Sequence, residues 1–221
     1  MIAMPCYDSV KVSTMISVIK LVQQLAKSGV AVGIQTMNSP LIHQARNYLT
    51  SVFLTSDYTH LLFIDSDVEF EPEAVVRMLV AKKDVVCTPS RVKSKDINKK
   101  IYTVEIKKET RMEAGELIEV TGGPTGLMLI DREVFKKIIK NYPELKIKNS
   151  VLPKPGKDHD YYYNFFDFKF EDGYSVGEDL SFCQLAKKAG FKIYGNTESS
   201  TRHHGSYVWE GKFGESLNEM E

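Results

Sequence analysis

The sequence predicts an α/β fold: a mainly parallel central sheet with helices on both faces and a small antiparallel addition. Three observations predict it. Apolar runs and helical repeats alternate as β-α-β-α-β-α-β through residues 2–89, the order that builds a parallel sheet. The run His60-Leu61-Leu62-Phe63-Ile64 is almost continuously apolar, as a strand covered on both faces must be. Residues 101–106 and 117–120 then follow as short apolar runs that read as paired strands.

Each element has its own signal. Ile2-Ala3-Met4-Pro5 reads as a first strand ended by proline, leading into the loop Cys6-Tyr7-Asp8-Ser9. In residues 10–27, Val12, Met15, Ile16, Ile19, Leu21, Val22 and Leu25 recur at helical spacing, and Ser28-Gly29 closes the helix. Residues 30–34 give a second buried strand. Asn38-Ser39-Pro40 opens a helix that runs to residue 54 and carries Leu41, Ile42, Ala45, Leu49, Val52 and Phe53. After the strand at 60–64, Pro72 suits the first turn of a helix with Ala74, Val75, Met78 and Leu79 on one side. Residues 84–89 form a fourth strand.

The second half is less regular. Residues 91–100 carry Arg91, Lys93, Lys95, Lys99 and Lys100 with few apolar groups, a solvated loop or a lid over a phosphate or an acceptor. A strand at 127–130, a helix at 132–140, a helix at 178–189 closed by Gly190 and a last strand at 191–194 complete the elements. Between them, residues 149–177 are rich in Pro, Gly, Asp and aromatic side chains. No internal repeat appears, and residues 1–221 read as one domain.

Composition narrows the classes of function. With 221 residues, 43% of them hydrophobic and 26% charged, the chain can bury a core and is not dominated by disorder. Lys and Arg total 29, as do Asp and Glu. The cationic surplus of a duplex-binding protein is therefore missing, and nucleic acid is not an expected partner. Cys6, Cys87 and Cys183 are far apart with no CxxC spacing, which suits three buried, reduced thiols. No segment approaches the ~18 apolar residues of a membrane span, and residues 1–5 are too short and uncharged for a secretory signal. A cytoplasmic location is expected.

The strongest chemical signal is Asp65-Ser66-Asp67 at the end of the 60–64 strand. Two carboxylates on one strand face repel and resist burial, but they are tolerable at the carboxyl edge of a sheet, facing a cation. That edge is where open α/β sheets bind ligands, and hard oxygen donors suit Mg²⁺ or Mn²⁺ bridging to phosphates. Gly177-Glu178-Asp179 at a helix start is a second signal; the helix dipole favours acids there, and one could take a proton from a hydroxyl. His203-His204 near the C-terminus offers an imidazole that could complete an ion site begun by carboxylates. Gly122-Gly123-Pro124-Thr125-Gly126 lacks the spacing of a phosphate loop, so its glycines admit close approach of a ligand or form a plain turn.

In this order and spacing, Pro5 to Asp8, Ala45-Arg46-Asn47, Asp65-Ser66-Asp67, Gly122 to Gly126, Gly177 to Asp179 and His203 to Tyr207 resemble the GT-A-fold glycosyltransferases that use nucleotide sugars. The resemblance spans nearly the whole chain and is strongest to compact bacterial, phage and large-DNA-virus members, such as a chlorella-virus glycosyltransferase domain. It implies a hexosyl- or deoxyhexosyltransferase moving sugar from a nucleoside-diphosphate donor, with UDP the commonest base, to a hydroxyl of a glycan acceptor. Asp67 would hold Mn²⁺ or Mg²⁺ directly, Asp65 would touch the ribose or the ion, and His203, favoured over His204, would complete the ion site. Pro5, Tyr7 and Asp8 would hold the nucleoside, Arg46 and Ser66 would sit by the nucleotide, and Gly123 to Gly126 would line the donor-sugar pocket. Asp179 or Glu178 would be the base of an inverting enzyme; a retaining enzyme would use the pair to position hydroxyls. The aromatic stretch 161–174 would be an acceptor platform or a hydrophobic flap.

Three alternatives stand beside this. Haloacid-dehalogenase-like phosphohydrolases also place DxD after an apolar strand, with Asp65 as nucleophile and Asp67 as acid/base. That motif normally follows the first strand and continues to Thr or Val, where this chain has Glu69. A non-catalytic nucleotide-sugar-binding module would bind without turnover. A nucleotidyltransferase usually carries a glycine- and lysine-rich loop near the N-terminus, which residues 1–15 lack.

Overall fold

The computed structural model describes residues 1–96, 98–106, 117–148 and 161–217. In chain order the elements are β1 (Ile2–Cys6), α1 (Val12–Lys27), β2 (Ile34–Asn38), α2 (Ile42–Leu54), β3 (His60–Ile64), β4 (Val68–Phe70), α3 (Pro72–Val80), β5 (Val85–Cys87), β6 (Leu117–Val120), β7 (Leu127–Asp131) and α4 (Arg132–Asn141). A 3₁₀ turn (Pro143–Leu145) follows, then β8 (Lys169–Glu171), β9 (Tyr174–Val176), α5 (Glu178–Lys188), β10 (Ile193–Asn196), β11 (Ser200–His204), β12 (Val208–Lys212) and α6 (Phe213–Leu217).

Seven strands form the central sheet in the order β2-β1-β3-β7-β5-β10-β6. The pairs β1–β2, β1–β3 and β5–β10 are parallel, while β7 runs against β3 and β5, and β6 against β10. A three-stranded antiparallel sheet, β12-β11-β4, flanks the carboxyl end of β3, and β8 pairs with β9 as a hairpin. The mixed α/β architecture expected from the sequence is the architecture found.

The pleat of β3 sorts the two cores. Leu61 and Phe63 point to one face, where Leu49 and Phe53 of α2 meet Phe135, Phe165, Phe166 and Phe182. Leu62 and Ile64 point to the other, against Val18 and Leu21 of α1 and Val75 and Met78 of α3. The ring pairs Phe166–Phe182, stacked at 4.6 Å, and Phe135–Phe165, edge-on at 5.1 Å, tie the aromatic stretch to α4 and α5. Tyr162, Tyr163, Phe165 and Phe166 are therefore core residues, whereas Tyr161 is exposed, as are Phe168, Phe170 and Tyr174 on and beside the β8–β9 hairpin.

Several elements depart from the sequence reading. The second strand lies at Ile34–Asn38, not at 30–34, because its register is set by Ile2 opposite Ile34. It is the sheet's edge and largely exposed rather than buried. Residues 101–106 form no strand; Tyr102 and Glu105 make single bridges to Arg91 and Gly122, and β6 pairs with β10 instead. The strand expected last, at 191–194, begins at Ile193 and is followed by β11 and β12. Part of the Pro/Gly-rich stretch, residues 149–160, lies outside the described residues. In α1, Val12, Met15, Ile16 and Ile19 face outward, while Thr14, Ser17, Val18, Leu21 and Leu25 face inward. Ser17 serves that inner face by meeting the β4 backbone: Phe70 N–H donates to Ser17 Oγ at 3.1 Å.

Among the described residues no helix is long and apolar enough to cross a membrane. The three cysteines are free and buried. Burial pushes the Cys183 thiol up to about 12 and the Cys87 thiol well above its ordinary value; burial, then the charge of Asp65, raises Cys6. Thiolate is the reactive form. Native protein should therefore resist iodoacetamide at pH 8 and gain three adducts only when unfolded. Intact-mass spectrometry reads the outcome, and a rapidly labelled native thiol would contradict it.

Candidate functional site

The site gathers at the carboxyl end of β3, where the apolar strand gives way to Asp65-Ser66-Asp67. The chain must turn there, and β4 carries it into the small sheet. Two backbone hydrogen bonds fix the turn: Asp65 N–H donates to Gly126 O at 2.9 Å, and His204 N–H donates to Asp67 O at 2.8 Å. The first ties the motif to the start of β7, the second to β11. The loop after β1 joins them, with Lys11 N–H donating to Ser66 O at 2.8 Å. Tyr7 and Asp8 on that loop are exposed beside the motif, and Pro5 is buried within β1 rather than ending it.

Arg46 of α2 is the buried centre, only 2% exposed. Its Nη2 donates to Asp65 Oδ1 at 2.8 Å and its Nε to Glu178 Oε1 at 3.3 Å, with the guanidinium 5.3 Å from the centre of the Phe63 ring. Burial alone would disfavour its charge, but Asp65 and Glu178 override this and raise its pKa. Arg46, which the resemblance puts near the nucleotide or donor sugar, sits under the rim and cross-links β3 to the start of α5. Its Nη1 is buried without a hydrogen-bond partner.

The arginine also separates the two acids of Gly177-Glu178-Asp179. Glu178 is tied to it, whereas Asp179, among the described residues, accepts from its own helix, from Leu180 N–H at 2.8 Å. Burial first, and the charge of Glu178 second, raise the Asp179 carboxyl above its ordinary value. Such a carboxylate holds a proton more readily than a solvated one, which suits a general base.

Asp67 faces the other way, toward β11 and the basic loop. Its carboxylate pairs with the Lys93 ammonium, and its Oδ1 lies 3.6 Å from His203 Nε2. Burial works against the Asp67 charge, but His203 and Lys93 overcome it and hold the carboxyl at about 2. On the far side of the ring, His203 Nδ1 is 2.9 Å from Arg91 O. A carbonyl oxygen only accepts, so Nδ1 carries hydrogen toward Arg91 O, and Nε2 is the ring atom turned to Asp67. A backbone-oriented imidazole is how ion-binding histidines are held.

The neighbouring histidine is committed elsewhere. Strand alternation sends His204 to the opposite face, where its Nε2 is 2.7 Å from Glu69 Oε2 and 3.1 Å from Ser13 Oγ. The expected trio of Asp65, Asp67 and His203 is not assembled: Asp65 belongs to Arg46, and among the described residues no group of three His, Cys, Asp or Glu side chains converges on one point. The donor set fits Mg²⁺ or Mn²⁺ all the same, since these ions keep few protein ligands and complete their shell with water and phosphate.

The glycines answer to packing. A Cβ on Gly126 would come within 3.0 Å of Asp65 Oδ2, and one on Gly123 would collide with Cys87 Sγ. Gly126 thus borders the acid motif, while Gly123 is explained by the core. A cavity of about 530 Å³ opens beside α2, lined by His43, Asn47, Glu144, Lys146, Asn164 and Asp167 among others. Its two carboxylates against one lysine make it unsuited to a diphosphate. Sequence reasoning assigned no role to Lys93 individually, to β4 or to Glu69. The basic run 91–100 was the available signal for Lys93.

No protein-family model matches the chain, and no curated protein matches it in sequence. Solved structures do match in shape. A197 from STIV superposes with a TM-score of 0.53 at 21% identity, covering 92% of this chain and 84% of that one. GalNAc-T7, solved with UDP, GalNAc and Mn²⁺, superposes with a TM-score of 0.51 at 9% identity, covering 91% of this chain. This chain spans 42% of that structure's length. The likeness is one of fold: the chain has the GT-A-like, Rossmann-type architecture.

Removing Arg46 would leave Asp65 and Glu178 facing one another without a cation. Arg46→Met should therefore lower stability by about 3 kcal/mol, the cost of breaking a buried ion pair. Urea denaturation measures it, and a loss below about 1 kcal/mol, the range of a surface pair, would show that the guanidinium does not hold the rim together.

Proposed function

We propose that the protein is a metal-dependent glycosyltransferase, moving a sugar from a nucleoside-diphosphate donor, with UDP as the base, to a hydroxyl of a glycan or glycoconjugate. One observation carries the proposal: the Asp67 carboxylate and His203 Nε2 face each other at 3.6 Å at the carboxyl edge of the sheet, with the imidazole braced from behind by Arg91 O. The GT-A-like fold supports it, as does GalNAc-T7, a protein of that shape solved with UDP and Mn²⁺.

Asp67 and His203 would hold the ion. Bound there, it supplies positive charge to the leaving diphosphate. Tyr7, Asp8 and Ser66 would contact the nucleoside from the loop pinned across the motif. Asp179 would take the acceptor proton as the acceptor oxygen bonds to the anomeric carbon and the bond from that carbon to the diphosphate breaks. This is the inverting course, favoured because the arginine that hydrogen-bonds Glu178 makes no such bond to Asp179, whose carboxyl burial and Glu178 still raise against the arginine's charge. The hairpin aromatics Phe170 and Tyr174, both more than 70% exposed and immediately before Gly177, would offer faces for the acceptor sugar. The phosphohydrolase alternative needs a free Asp65, and that carboxylate is bound by Arg46.

A panel of nucleotide sugars with Mn²⁺ should give nucleoside-diphosphate release that EDTA and Asp67→Ala each abolish. Retained metal-dependent release in Asp67→Ala would remove Asp67 from the site, and nucleotide binding without any release would favour a binding module. Asp179→Asn should cut turnover by about 10²- to 10⁴-fold with donor affinity kept. The same change should raise the melting temperature. The folded protein holds the Asp179 proton more tightly than the unfolded chain. Its ionised form therefore costs stability, increasingly as pH rises through the unfolded value toward the raised folded one, and fully above that. The gain should be present at pH 7 and fade below the ordinary aspartate pKa. Normal turnover or an unchanged melting temperature would each contradict the assignment.

A further inference from the structure

We infer that Lys93 is the protein's own counter-cation for Asp67, giving up the carboxylate when a divalent ion arrives and passing its ammonium to the diphosphate. The inference rests on Asp67 being the ion's ligand, as proposed above.

Lys93 does not reach Asp67 by chance. Its loop is fastened on both sides to the strands that carry the site. Before it, Arg91 O meets His203 Nδ1 at 2.9 Å, and Arg91 Nη1 donates to Glu210 O at 3.1 Å. After it, Trp209 Nε1 donates to Ser94 O at 3.2 Å. The aliphatic stem then crosses Gly205, where a Cβ would come within 3.4 Å of Lys93 Cδ and 2.9 Å of the Trp209 ring. A glycine there makes room for the Trp209 ring, with the Lys93 stem at ordinary contact distance. The ammonium arrives on Asp67 Oδ2, the partner oxygen of the one that faces His203.

A cation is already paired with the Asp67 carboxylate. An ion held by Asp67 and His203 would sit beside the ammonium, and like charges so close repel strongly where water is partly excluded. Ion and ammonium therefore compete for one carboxylate. The Lys93 stem is long and flexible, and its head is only partly buried, with the side chain 33% exposed. Once displaced, the ammonium stays within its own length of the ion, beside the anionic diphosphate that the ion would carry. The basic loop thus works on the donor phosphates rather than as a purely solvated segment.

The test measures binding, not turnover. Mn²⁺ affinity is read by electron paramagnetic resonance of the free ion, and UDP affinity at saturating Mn²⁺ by calorimetry, for wild type, Lys93→Met, Lys93→Arg and Asp67→Ala. Lys93→Met should bind Mn²⁺ about tenfold more tightly and UDP about tenfold more weakly, the scale of one partly screened charge. Lys93→Arg should stay near wild type in both. A residue that only holds the loop would move both affinities the same way or neither, and that result overturns the inference. If Asp67→Ala binds Mn²⁺ as well as wild type, it is the ion site itself that fails. Tighter Mn²⁺ binding confined to Lys93→Met supports the competition directly.

Discussion

The site depends on one buried guanidinium. Arg46 is charged and almost fully enclosed, and enclosing a charge costs several kcal/mol unless good partners surround it. Asp65 and Glu178 are those partners, and they come from distant parts of the chain: the end of β3 and the start of α5. Neither acid can relax away without stranding the arginine, and the arginine cannot leave without stranding both acids. This mutual constraint fixes the distance between the two halves of the rim. Everything that requires Asp67 on one side and Asp179 on the other inherits that spacing.

The small sheet plays the corresponding part for Asp67. Its strand β4 follows the acid motif directly, and β11 pairs with it, bringing His203 opposite Val68. Glu69, bound by Arg202 at 2.8 Å and by His204 at 2.7 Å, clamps the two strands from the other face. One histidine of the pair is thereby spent on structure while its neighbour is turned toward the carboxylate. Strand alternation makes this division unavoidable, since consecutive residues cannot face the same way.

Much of this was legible in the sequence, and the exceptions have physical causes. The β3 strand and its acid motif stood out because continuous burial on two faces leaves an unmistakable run, and the charges that end it can only lie at an edge. Helices α3, α4 and α5 were legible from spacing; the structure adds the cap of α4, where Asp131 accepts from Glu133 N–H at 2.7 Å. The outward stripe of α1 misled, because the helix turns Thr14 and Ser17 inward where apolar residues are expected, with Ser17 accepting from the β4 backbone. Strand β4 is three residues long and borrows its partner from the far end of the chain, so no local pattern marks it. Arg46 was legible as a site residue but not as a buried one: only its partners, 19 and 132 residues away, reveal that.

The rim carries five acids, and their pairing distinguishes them. Asp65 and Glu178 share Arg46, Asp67 has Lys93, and Glu69 has Arg202. Among the described residues Asp179 forms no ion pair, and it is the one whose carboxyl burial and a neighbouring charge push upward. A fold selected for stability alone would pair or replace such a group, since an unpaired, partly buried carboxylate is a net cost. Pairing it would also remove its capacity to take a proton, because a cation at hydrogen-bond distance lowers the basicity that burial raises. The cations thus leave free the one acid whose environment makes it a base. The same logic separates Asp67 from Asp65: a lysine on a flexible stem can be displaced by an arriving ion, and a buried arginine bound at two points cannot.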